Sequence, residues 1–80
     1  MTTQTYTEQD AIQAALAQSW DVAIRINTIL LKQNKENVNV LNRLGFAYLQ
    51  LGQITTAKKT FQKVIKLDAY NQIAIKNVKK

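Results

Sequence analysis

The feature that most constrains this chain is a register of 34 residues that lays its first half over its second. At that offset Ala23 falls on Ala57, Asn37 on Asn71 and Ala11 on Gly45. Leu30 meets Val64, Leu31 meets Ile65, Trp20 meets Ile54, Leu41 meets Ile75 and Leu44 meets Val78. Small residues fall on small ones and apolar residues on apolar ones. Self-similarity at a fixed period of this size marks a stacked repeat, whose units are too small to bury their apolar faces alone and hide them against their neighbours.

Inside each period the spacing is that of helices. Thr7 followed by Asp10 has the form of a capping box, and EQDAIQAALAQ then places Ala11, Ala14 or Ala15, and Leu16 on one side. After a turn at Gln18-Ser19, WDVAIRINTILLKQ aligns Trp20, Ala23, Ile26 or Asn27, and Leu30. The polar stretch NKENVN is a loop in which Asn37 caps the next helix, VNVLNRLGFAYLQL. Gly52-Gln53 ends that helix, because glycine accepts a left-handed turn. ITTAKKTFQKVIKL follows with Ile54, Ala57, Phe61, Val64 or Ile65, and Leu67 aligned. Asp68-Ala69-Tyr70 is a short connection, and Asn71 caps a fifth helix, QIAIKNVKK. No alternating strand pattern occurs.

Residues 38–71 resemble one complete tetratricopeptide repeat. The resemblance rests on Leu41, Leu44-Gly45, Tyr48, Gly52, Ala57, Phe61, Val64 and Leu67, with Asp68-Ala69-Tyr70-Asn71 at the end. Gly45 and Ala57 are small where two antiparallel helices cross closely, and Tyr48 and Phe61 fill the space beside them. The family more often has tryptophan at Leu41 and proline at Ala69. An earlier repeat over about 4–37 departs further, with Thr7 and Asp10 in slots for large apolar residues and Asn27 in place of the aromatic. The resemblance implies an all-α fold: antiparallel helical hairpins stacked as a short right-handed α-solenoid, one domain over 1–80. It would hold about two repeats (about 4–37 and 38–71) and one extra helix, 72–80, which begins a third repeat or caps the stack.

That last helix leaves Ile73, Ile75 and Val78 without a second helix to cover them. The expectation is that the chain is a piece of a longer protein; a partner or a second copy of the chain would otherwise complete it.

Composition removes most chemistry. With no cysteine and no histidine there are no thiol nucleophiles, no disulfides, no neutral-pH imidazole base and neither of the commonest metal ligands. Ser19 lacks an activating partner, Glu8 and Asp10 point to different helix faces, and two isolated glycines make no phosphate loop. Neither an enzyme nor a cofactor or metal protein is expected. The N-terminus MTTQTYTEQD is not a secretory signal, and apolar stretches such as Ile29–Leu31 are too short to cross a bilayer, so a cytoplasmic protein without membrane contact is expected.

Two surfaces are candidates for binding. In tetratricopeptide proteins the first helices of successive hairpins line a concave groove for peptides or helices. Carried over, that groove takes Asn39, Asn42, Arg43, Phe46, Leu49 and Gln50, extended by Glu8, Ile12 and Leu16 on one side and by Ile73, Lys76 and Asn77 on the other. Asparagines and Arg43 suit a peptide backbone or a carboxylate, and Phe46 and Leu49 suit apolar side chains. Some members grip a C-terminal carboxylate with lysines and asparagines; Glu8 stands where the first such lysine belongs, with the wrong charge. The leading function is thus a non-catalytic protein- or peptide-binding scaffold. In this reading Trp20 packs at its hairpin turn.

The second surface is basic. The net charge is +6, with eight basic residues against Asp68 alone in 41–80. Lys59, Lys63 and Lys66 recur along one face of the fourth helix with Lys58 beside them, and Lys76, Lys79 and Lys80 follow. This convex face is a candidate for RNA, the ribosome or an acidic partner, although no aromatic is interleaved for base stacking. Self-association through the uncovered final helix is a third reading.

Overall fold

A computed structural model describes residues 5–79. It contains α1 (Glu8–Leu16), α2 (Trp20–Gln33), α3 (Val38–Gln50), α4 (Ile54–Leu67) and α5 (Gln72–Val78), and no strand among the described residues. Each helix packs on the next in sequence, while helices further apart hardly touch. The result is an elongated stack of hairpins, 42 × 24 × 18 Å.

The helix starts follow from side-chain chemistry. At α1 the Thr7 Oγ1 accepts from the Asp10 N–H at 3.3 Å while Asp10 Oδ2 accepts from the Thr7 N–H at 2.8 Å, closing the capping box. Asn37 Oδ1 accepts from Val40 N–H and Asn71 Oδ1 from Ala74 N–H, each at 3.1 Å, capping α3 and α5. Thr7 and Asp10, foreign to the family pattern, thus have a local task.

The backbone repeats even where the side chains do not. Asn37 (φ −74°, ψ 102°) matches Asn71 (φ −67°, ψ 111°). Ser19 (φ −87°, ψ 75°) matches Gln53 (φ −87°, ψ 70°), and Asn34 (φ −149°, ψ 96°) matches Asp68 (φ −145°, ψ 92°). Most telling is Gln18, which takes φ 58° at the place that corresponds to Gly52, with φ 77°. An L-residue in that region is held there by its surroundings. The first hairpin therefore keeps the turn geometry of the second without its glycine.

Two apolar clusters run through the stack. Ala11, Ala14, Ala23, Ile26, Leu30, Val40, Leu44 and Ala47 join α1, α2 and α3. Leu41, Ala57, Phe61, Val64 and Ala74 join α3, α4 and α5. Leu31 and Tyr48 pack against both. The close crossing of α3 and α4 centres on Gly45: a Cβ there would lie 2.6 Å from Phe61 Cζ, a distance no real carbon pair adopts.

Several expectations shift at the helix ends. α3 stops at Gln50, with Leu51 as its C-cap, and α5 ends at Val78, capped by Lys79. Leu16, Ile54 and Leu67, which the spacing aligns with the core, lie at helix termini and are exposed. Thr60 is buried instead, its hydroxyl donating to the Thr56 carbonyl at 2.8 Å.

Candidate partner-binding groove

A groove of about 320 Å³ opens on one face of the stack, between α1 and α3. These two helices barely meet, and α2 lies behind them as the floor. Trp20, Ala23 and Asn27 supply that floor; Ala15 stands on the α1 side, and Ile73 of α5 closes one end. The α3 wall consists of Asn39, Asn42, Arg43, Phe46 and Ala47.

The aromatic pair gives the groove its apolar character. Trp20 and Phe46 meet edge to face, centroids 5.6 Å apart and planes at 70°. Trp20 is partly buried against the first core cluster, so it packs at the hairpin turn and lines the groove as well. Phe46 is 46% exposed, a large apolar surface offered to solvent within a cleft. Across the mouth, Arg43 Nη1 donates to Glu8 Oε1 at 2.9 Å, linking α3 to α1.

Of the residues expected on the concave face, Asn39, Asn42, Arg43 and Phe46 line this groove. Leu49 does not: it packs against the second core cluster, where α3 meets α4 and α5. Gln50, at the end of α3, is exposed outside the groove, and so is Leu16. Lys76 borders a separate shallow depression on α5 with Gln72, Ile73, Ile75 and Lys79. Asn77 turns its Nδ2 back to the Ile73 carbonyl at 2.7 Å. Arg43, expected as a carboxylate anchor, already holds one on Glu8. Asn42, expected at the surface, is 7% exposed and uses its Nδ2 on Asn71 Oδ1 at 3.2 Å.

The lysines are arranged differently. Lys59, Lys63 and Lys66 are exposed on α4, opposite buried Ala57, Phe61 and Val64. They share an open surface with Gln62 and Ile65, while Lys58 is half-buried. Lys79 is exposed at the end of α5, and Lys80 lies outside the described residues. No aromatic stands among the lysines of α4.

Among the described residues no helix is long and apolar enough to cross a membrane, and no group of three or more acidic, histidine or cysteine side chains is placed to hold a metal ion. No curated protein matches the chain. The family model described as tetratricopeptide repeat matches residues 38–71. Such repeats generally mediate protein–protein interaction and typically serve as non-catalytic scaffolds. Residues 38–71 are a tetratricopeptide repeat, set in a stack of helical hairpins whose earlier turns repeat its backbone.

Proposed function

We propose that this chain is a non-catalytic module that holds a peptide or helical segment of another protein in the groove between α1 and α3. The observation that carries the reading is the half-exposed Phe46 edge-to-face on Trp20, in a cleft floored by Ala23 and Asn27 and formed before any ligand arrives. Aromatic side chains in a preformed cleft are the usual anchors of a binding site, because little order is lost when a ligand enters. The lysine face offers charge without a cleft of this kind.

Phe46→Ala tests the reading. Phe46 projects from the core, so the variant should keep its helical circular dichroism and its melting temperature within a few degrees. Partners retained by the immobilised wild-type chain should be lost from the variant. As a counterpart, Lys59, Lys63 and Lys66 are changed together to glutamate. Partners lost with that triple variant but kept by Phe46→Ala would transfer the function to the basic face.

A further inference from the structure

The groove contains two buried acceptors with nothing to accept. Asn27 and Asn42 are 1% and 7% exposed, both line the groove, and the Oδ1 of each is without a hydrogen-bond partner. Neither assignment yields to an amide flip. Asn27 directs its Nδ2 at the Ala23 carbonyl, 2.9 Å away; a carbonyl there demands a donor, so the oxygen is the atom left over. For Asn42 the constraint has two steps. The Ala74 N–H donates to Asn71 Oδ1, which fixes that atom as oxygen, and Asn42 meets it with Nδ2 at 3.2 Å. Its own Oδ1 is again left over.

Buried polar atoms are nearly always paired, and one left unpaired burdens the folded state. Two along one cleft are a demand for donors from outside. We propose that the groove recognises an uncharged N–H donor, the side-chain amide of a glutamine or asparagine, flanked by apolar residues on the bound segment. This rests on the groove being the peptide site.

The other candidate head groups meet opposition. A carboxylate brings only acceptors to two acceptor oxygens, and the one cation on the rim, Arg43, is occupied by Glu8 at 2.9 Å. An ammonium would leave water for walls of Trp20, Phe46 and alanine in a chain of net charge +6. A primary amide carries two N–H donors and loses less hydration than an ion. Both oxygens are closed to solvent, so a donor reaches them only when a wall side chain moves, and Phe46 on that wall is 46% exposed. Half of that demand comes from the first hairpin, where Asn27 stands at the place that corresponds to Phe61; the ring of Phe61 fills its own hairpin, whereas Asn27 brings an amide to the groove floor.

Trp20, the sole tryptophan, lies in the groove and reports occupancy by its fluorescence. The probes are capped peptides acetyl-Ala-Leu-X-Leu-Ala-amide with X as Gln, Lys or Glu, titrated into the intact chain with calorimetry alongside. The Gln peptide should bind at least about fivefold more tightly than the Lys or Glu peptide, the discrimination expected of one satisfied buried acceptor. Asn27→Leu fills the same space without an acceptor. That variant should melt at or above the wild-type temperature, and its preference for Gln should fall to about twofold. Equal affinities in the wild type, or a full preference surviving in Asn27→Leu, overturn the amide preference and leave the peptide groove standing. Absence of binding by all three peptides in both assays overturns the two together.

Discussion

Gly45→Ala tests whether the α3–α4 crossing is as tight as its geometry implies. The new Cβ would lie 2.6, 2.7 and 2.8 Å from Phe61 Cζ, Cε2 and Cε1, against the roughly 3.5–4.0 Å at which carbon atoms rest. The ring has nowhere to retreat, because Phe61 is fully buried in the second core cluster. Overpacking of this kind costs about 1–3 kcal/mol, and three clashing ring atoms put this site in the upper half of that range. Alanine in place of glycine in a helix interior returns about 1 kcal/mol. The net loss is then about 1–2 kcal/mol, or roughly 5–15 °C in melting temperature for a domain of this length. Thermal unfolding followed by circular dichroism reads it directly. A double-mutant cycle isolates the cause: in the Gly45→Ala background, Phe61→Leu should recover at least about 1 kcal/mol of the loss. A Gly45→Ala protein that melts at or above the wild type, or costs that simply add, would refute the reasoning. The first hairpin is the internal control, since Ala11 sits fully buried at the equivalent place where Asn27 replaces the ring.

Two further substitutions probe the turns and caps. Gln18→Gly should stabilise the chain by about 0.5–1 kcal/mol, seen as a raised urea midpoint, because the left-handed φ of 58° is strained for glutamine and free for glycine; an unchanged midpoint would mean that the turn carries no strain. Asn71→Ala should cost about 2 kcal/mol, since it removes the α5 cap and leaves the Asn42 amide without its acceptor. Amide exchange should quicken first in Gln72–Val78, whereas a uniform rise along the chain would argue against a local cap.

Much of the fold was legible because its signals are local. Helix periodicity, Asn37 and Asn71 as caps, and Gly52 as a left-handed turn can be read residue by residue, and α2 and α4 fall where the spacing puts them. The turn at Gln18-Ser19 was legible as a turn, but its left-handed φ was hidden, since glutamine has no preference for that region. The site was legible only in outline. Placing Arg43, Asn42 and Phe46 on one face follows from the family resemblance. Arg43 finds Glu8 35 residues away, and Asn42 finds Asn71 29 residues away, so what each is free to bind depends on hairpin stacking. Asn27 looked like a worn position of the repeat. Its burial and its unpaired oxygen depend on how far apart α1 and α3 stand, and no single-residue pattern carries that distance. Leu49, which the resemblance put in the groove, packs instead against the second cluster, which joins α3, α4 and α5.

Leu31 and Tyr48 belong to both apolar clusters at once, and this makes the stack a poor candidate for piecemeal melting. A linear array can lose one hairpin while keeping the next when the interface between them is weak. Here the side chains that would have to be released by the first hairpin also seal the second, so the described helices should unfold in one transition. The same sharing gives an occupant of the groove a reach beyond its own contacts: by holding α2 against α3 it also holds Tyr48, and slower amide exchange should spread into α4, which contributes no residue to the groove.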